Sequence, residues 1–172
     1  MPLGPKMLAQ ANVKLLWVPD GGIADVHAPT IPELTAASVI DFSCMVTKAN
    51  YLLGAAGDDS ISDPALCAEG NSTVPGNTNY EAGMDFFRFV AAADDKGWTT
   101  FTDKGIAGFW VERRGKRFDA APAAADEVKV VQVLSGTPRT LPVPENGGYE
   151  KFRVDFFPQE AIDLRAVVVA GP

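Results

Sequence analysis

Apolar and polar positions alternate with a period of two in three separated stretches, the pattern of strands with one face on a core and one toward water. In Ser38 to Val46, Ile40, Phe42, Cys44 and Val46 share one face, and Asp41 and Ser43 take the other. Tyr80, Ala82, Met84 and Phe86 alternate with Glu81 and Asp85, and Phe152, Val154 and Phe156 alternate with Lys151, Arg153 and Asp155. Four more continuous runs, Val13 to Val18, Ile106 to Val111, Val128 to Leu134 and Ile162 to Val169, are rich in β-branched and aromatic residues. Apolar side chains on both faces of these runs predict strands covered twice, inside a sandwich or barrel or against a neighbouring subunit.

Helical signals are few. Thr30 followed by Glu33 fits a capping box, with Pro32 in the first turn where its missing N–H costs little, and predicts a short helix over Ile31 to Ala37. Asp63 before Pro64 predicts a second start, with Gly70 as the stop after Ala65 to Glu69. Asp94 to Phe101 is a third candidate. The fold class expected is mainly β, a β-sandwich or barrel-like domain with one or two short helices. Thr47 to Asn79, rich in Gly, Asp, Ser and Asn, reads as a long loop between two strands. Loops beyond about 12 to 15 residues inside a domain are usually functional or disordered. Tyr51, Leu52, Leu53, Ile61, Leu66 and Val74 are spread through this one, which favours a segment that packs on something. Ala120 to Asp126 is a short Ala/Pro connector, and with no repeat or linker residues 1–172 read as one domain.

Composition narrows the function. Apolar residues make up 47% and charged residues 22%, which separates the chain from disordered sequences. A net charge of -7 disfavours tight binding to a phosphate backbone and helps keep subunits soluble before they associate. Neither an apolar leader core in MPLGPKMLAQ nor any run approaching about 20 apolar residues is present, so neither export nor membrane insertion is expected. Cys44 and Cys67 sit beside Met45 and Leu66 and read as small buried hydrophobes in a reducing compartment.

Candidate chemistry is sparse. His27 is the one histidine, so any base-dependent nucleophile or zinc site would have to be built on it, and the two cysteines lack ligand spacing. A hydrolase using His27 with acidic residues is therefore a minor reading, and a surface loop histidine the simpler one. Asp58, Ser60, Ser62 and Glu69 fall at calcium-loop positions 1, 3, 5 and 12, but Asp63 stands where the sharp turn needs glycine, so a turn is the better reading. Arg113, Arg114, Lys116 and Arg117 form the one basic cluster, around Gly115. It reads as a solvated hairpin tip, or as a surface that pairs with Asp58, Asp59 or Asp63 of an identical subunit. Trp17, Trp98 and Trp110 could serve as platforms of a carbohydrate- or receptor-binding module, although core or interface positions suit them as well. Nothing calls for a cofactor, a metal or a catalytic constellation.

Four segments in order, ANVKLLWVPDGGIADVHAPTIPEL, YLLGAAGDDSISDPALCAEGNSTVPGNTNYEAGMDFFRF, KGWTTFTDKGIAGFWVERRGK and SGTPRTLPVPENGGYEKFRVDFFPQ, resemble the major tail proteins of siphophages that infect actinobacteria. The resemblance runs from about Ala11 to Ala170 and lies in the ordered string, not in one chemical motif. It implies a virion structural protein made in the host cytoplasm, a β-sandwich whose hexameric rings stack into the tail tube through which DNA is ejected. Implied partners are identical subunits, a tape-measure protein, and tail terminator and tip proteins; duplex DNA passes without specific binding. By the same resemblance the 47–79 segment and an N-terminal arm, residues 1–11, reach neighbouring subunits. No decoration domain is expected before the end at Pro172. Interface candidates are Tyr51, Leu52, Leu53, Asp58, Asp59, Ile61, Asp63, Val74, Arg113, Arg114, Lys116 and Arg117.

Overall fold

The computed structural model describes residues 6–67, 69–70, 72–145 and 147–171. In chain order its elements are β1 (Val13–Pro19), α1 (Ile31–Thr35), β2 (Ile40–Asp41), β3 (Leu52–Ser62), β4 (Thr73–Phe87), α2 (Lys96–Thr100), β5 (Ala107–Arg114), β6 (Glu127–Ser135), β7 (Arg139–Thr140) and β8 (Lys151–Val167). The strands form one antiparallel sheet in the order β2-β1-β5-β6-β8-β4-β3, with β7 also paired to β8. The mainly β class is as expected.

Strand β8 turns the sheet on itself. Its first residues pair with β4, from Phe87↔Lys151 to Ala82↔Phe156, and its remainder pairs with β6 through two register shifts that bend it. Residues 40–47 then join the far ends of the order. Ile40 and Asp41 pair with Trp17 and Leu16 of β1, after which the Phe87 N–H donates to the Met45 carbonyl and the Thr47 N–H to that of Asp85. The sheet thereby curls around an inner aromatic core. Trp17, Phe42, Phe86, Phe101, Trp110, Phe152 and Phe156 are all buried there, with Trp17 and Phe42 edge-on to Trp110 at centroid distances of 5.0 and 5.5 Å. Such rings contribute both buried area and favourable edge-to-face contacts. Gly108 of β5 lets the sheet approach Trp17, since a Cβ there would lie 2.4 Å from the indole.

The outer face of β1, β5 and β6 is covered as well. Leu16, Val18, Phe109, Val111, Val128 and Val130 pack against Ile23 and Leu34, the latter on α1. Leu15 and Trp17 point inward while Leu16 and Val18 point outward, which is why β1 carries no polar face. The α1 capping box forms: Thr30 Oγ1 accepts from the Glu33 N–H at 3.3 Å, and the Thr30 N–H donates to Glu33 Oε2 at 2.7 Å. The helix ends at Thr35, two residues short of the expected end.

Several expectations are corrected. The segment 47–79 is not an irregular loop, because β3 and the first half of β4 pair along it as a hairpin; its Gly, Asp and Ser content hid strands that bury no face. Ser38 to Val46 keeps only two strand residues, because the chain turns at Phe42–Met45 to cross between sheet edges; Phe42 is buried but Cys44 is exposed. Cys67 is exposed too, so neither cysteine is a buried hydrophobe. Residues 64–67 carry a turn in place of the Asp63-capped helix, and Ala68 lies outside the described residues. Asp85, expected to face water, is 4% exposed and held by Arg153 and Asn50, each at 3.0 Å.

Phe42 supplies the central ring of the crossing segment, and its N–H donates to the Leu15 carbonyl at 2.8 Å. Phe42→Ala is predicted to lower unfolding free energy by about 3–5 kcal/mol in denaturant titrations. Cys44→Ala should change it by less than about 0.5 kcal/mol. Equal losses in the two variants would contradict the packing described.

Candidate assembly surface

Strand β4 is longer than the core it serves. Ala82, Met84 and Phe86 are buried, whereas every residue from Thr73 to Glu81 is exposed or, at Gly76, half-buried. Among the described residues only β3 flanks that outer half, so the pair forms a two-stranded arm. At about 3.3 Å per residue its nine β4 positions reach roughly 30 Å. Ribbons of two strands are marginally stable alone, so the arm's order must be supported at its base or by a neighbour.

The arm combines acid with apolar surface. Residues 52–81 contain five carboxylates, Asp58, Asp59, Asp63, Glu69 and Glu81, and no Lys, Arg or His, a net of -5. Leu52, Ile61, Val74 and Tyr80 are 45%, 54%, 57% and 37% exposed. Asp58 accepts from Thr78 Oγ1 at 2.6 Å and Asp59 from Asn79 Nδ2 at 2.9 Å, so cross-strand hydrogen bonds hold both carboxylates outward. Asp58, Ser60 and Ser62 lie along β3 in an extended backbone and do not wrap a cation loop. Of the other arm candidates, Asp63 is exposed just beyond β3, Leu53 is buried in the inner core and Tyr51 is half-buried against it.

The basic cluster divides in two. Arg113 is 4% exposed, pairs with Asp126 at 3.2 Å, and donates to the carbonyls of Arg117, Ala120 and Ala121, folding the connector before β6 over itself. Arg114, Lys116 and Arg117 face solvent, paired with Glu112, Asp126 and Asp119 of the same chain. Burial would raise the Asp126 carboxyl, but the Lys116 and Arg113 hydrogen bonds and the Ala123 N–H outweigh it and hold its pKa below the usual range. Met7 lies against Gly115, so the described part of the N-terminal segment runs past this tip; residues 1–5 lie outside the described residues.

Neither minor reading gains a site. Trp17 and Trp110 are buried at 2% and 0% exposure and cannot be platforms, and Trp98 lies beneath the Arg88 guanidinium, 4.1 Å from its ring centroid. His27 Nδ1 sits 2.6 Å from Asp163 Oδ2, and its carbonyl accepts from Val167, so it ties the segment before α1 to the end of β8. The hydrogen bond to Asp163 raises the His27 pKa, against a smaller effect of desolvation and with help from the Asp163 and Asp25 charges. A raised folded value means that the stabilisation is full below 6.5, the unsupported value, and is lost as pH rises through the folded pKa. An NMR titration of the imidazole is predicted to give a midpoint above 6.5, and Asp163→Asn should return it toward that value; a wild-type midpoint at or below it would refute the pairing.

No curated protein matches the chain in sequence. The family model described as phage tail tube protein matches residues 1–171, which takes in the curled sheet, the arm and the basic tip together. No helix among the described residues is long and apolar enough to cross a membrane. The chain therefore belongs to the phage tail tube protein family, structural proteins of the virion tail.

Proposed function

We propose that this subunit assembles with copies of itself into hexameric rings that stack as the tail tube of a siphophage infecting actinobacteria, the conduit for DNA ejection. The observation that carries the reading is the 52–81 arm, which exposes five large apolar side chains, Leu52, Ile61, Leu66, Val74 and Tyr80, and carries five carboxylates, of which Asp58 and Asp59 are held by Thr78 and Asn79 of the arm itself. Exposed apolar surface on a projecting element is the mark of an interface, and a contact between unlike surfaces of identical copies repeats without closing on itself.

Charge points to where the arm docks. Arg114, Lys116 and Arg117 form an outward basic tip: the first two pair with the buried Glu112 and Asp126, the third with the exposed Asp119, and all three side chains stay more than half exposed. Complementary charge across such an interface guides register and encounter more than it adds affinity. Arg113 belongs to the fold of the tip, and the contact itself falls to its three exposed neighbours. The remaining acidity suits a conduit, since a lumen that gathered cations would hold phosphates by counterion release. The tape-measure, terminator and tip proteins of the same tail are the further partners proposed.

Electron microscopy of purified protein at high concentration is predicted to show rings or tubes for the wild type. Ile61→Asp with Val74→Asp should leave a folded monomer, because both positions are exposed and contribute nothing to the core. Arg117→Glu, at a cation whose internal partner Asp119 is itself exposed, should slow assembly most strongly at low salt. Wild-type protein that stays monomeric at every concentration, or tubes formed equally well by the arm variant, would overturn the reading.

A further inference from the structure

The arm leaves the barrel beside a carboxylate that the core has no need of. Glu112 lies on the inward face of β5, one position beyond Trp110 on that face, and is 1% exposed. An apolar residue there would extend the core; a buried carboxylate costs several kcal/mol unless it is fully paired. It is fully paired. Oε2 accepts from the Tyr51 hydroxyl at 2.6 Å and from Arg114 Nη2 at 3.0 Å, while Oε1 accepts from Arg114 Nε at 2.7 Å and lies 3.0 Å from Lys129 Nζ. Burial would raise the Glu112 carboxyl, but the Arg114 and Tyr51 hydrogen bonds and the Lys129 charge outweigh it and keep its pKa low.

Two of these partners hold the base of the arm. Tyr51 immediately precedes β3, and Lys129 also donates to the Leu53 carbonyl at 3.2 Å. Gly54 follows at φ +140, a conformation that glycine adopts readily, and a Cβ added there would lie 3.6 Å from Lys129 Nζ. Here β3 stops burying side chains and begins to project. A second clamp holds the same base from its other side: Arg153 donates to the Asn50 carbonyl at 3.2 Å and to Asp85, to which Asn50 Nδ2 also donates. Hydrogen bonds have direction where apolar contacts have none, so a fully satisfied polar network can fix an angle that packing alone would leave loose.

We infer that Glu112 is a positioning residue for assembly: through Tyr51 and Lys129 it fixes the direction in which the arm leaves the subunit, so that the arm meets a second copy already oriented. The inference rests on the reading of the arm as the contact between copies. Pre-orientation removes an ordering cost that association would otherwise have to meet.

The test uses Tyr51→Phe, which removes one hydroxyl and keeps the ring, and Lys129→Met, which removes the bonds to Glu112 and Leu53 together. Hydrogen exchange of the monomer should show arm amides, 54–62 and 73–81, exchanging about tenfold faster in both variants, with β5 and β6 amides unchanged. The concentration needed for tube formation should rise several-fold. Unchanged arm exchange in both variants overturns the inference and leaves the tube reading intact. Faster exchange throughout β5 and β6 also overturns it, because the cluster would then hold the barrel and not the arm. If wild-type protein forms no tubes while the arm loosens selectively in the variants, the tube reading fails and the anchoring role stands.

Discussion

A curled sheet can enclose only as many side chains as its interior holds, and here that interior is filled by seven aromatic rings supplied by β1, β4, β5, β8 and the segments around Phe42 and Phe101. This packing constraint governs the rest. It draws residues 40–47 across from the β1 edge to the β4 edge, which gives up a regular strand in favour of a turn that seats Phe42. It also leaves the first half of β4 with nothing to cover. A strand of 15 residues of which only the last six lie on the core must project, and β3 pairs with it to satisfy its backbone.

Charge follows the same division. Where the fold needs carboxylates and cations it buries them in mutual contact: Arg113 with Asp126 at the connector, Arg153 with Asp85 below the arm, and Glu112 with three partners at the arm's base. Removing one member of such a cluster is costly because the other remains buried and unpaired. The arm itself carries acid without compensating base, and three solvent-facing cations, Arg114, Lys116 and Arg117, lie together at the tip. A subunit that is internally neutralised yet externally polarised is suited to repeated contact with its own copies, and less suited to holding a nucleic acid.

The strands that touch the core were legible from side-chain pattern: β1, β5, β6, the second half of β4 and the start of β8 all carry period-two or continuous apolar runs, and the Thr30–Glu33 box marked α1. The arm was not. A strand exposed on both faces has no reason to alternate, and Gly54, Gly57, Asp58 and Asp59 have the composition of a loop. Its apolar residues read as those of a segment in need of a partner, and in the hairpin Leu52, Ile61, Leu66 and Val74 stand exposed. Among the basic residues, sequence could not separate Arg113 from its neighbours, because the burial of one and the exposure of three depends on where the connector returns. Glu112 was invisible for a similar reason: nothing local shows that its carboxylate meets Tyr51 and Lys129 from elsewhere in the chain.

Whether the 52–81 arm is a contact between copies can be read from a reconstruction of the assembled tail tube at side-chain resolution. Ile61 and Val74 should be buried against an adjacent subunit, with arm carboxylates within ion-pair distance of Lys116 or Arg117 of another copy. An arm extending into solvent, with those side chains uncovered in the tube, would contradict that contact.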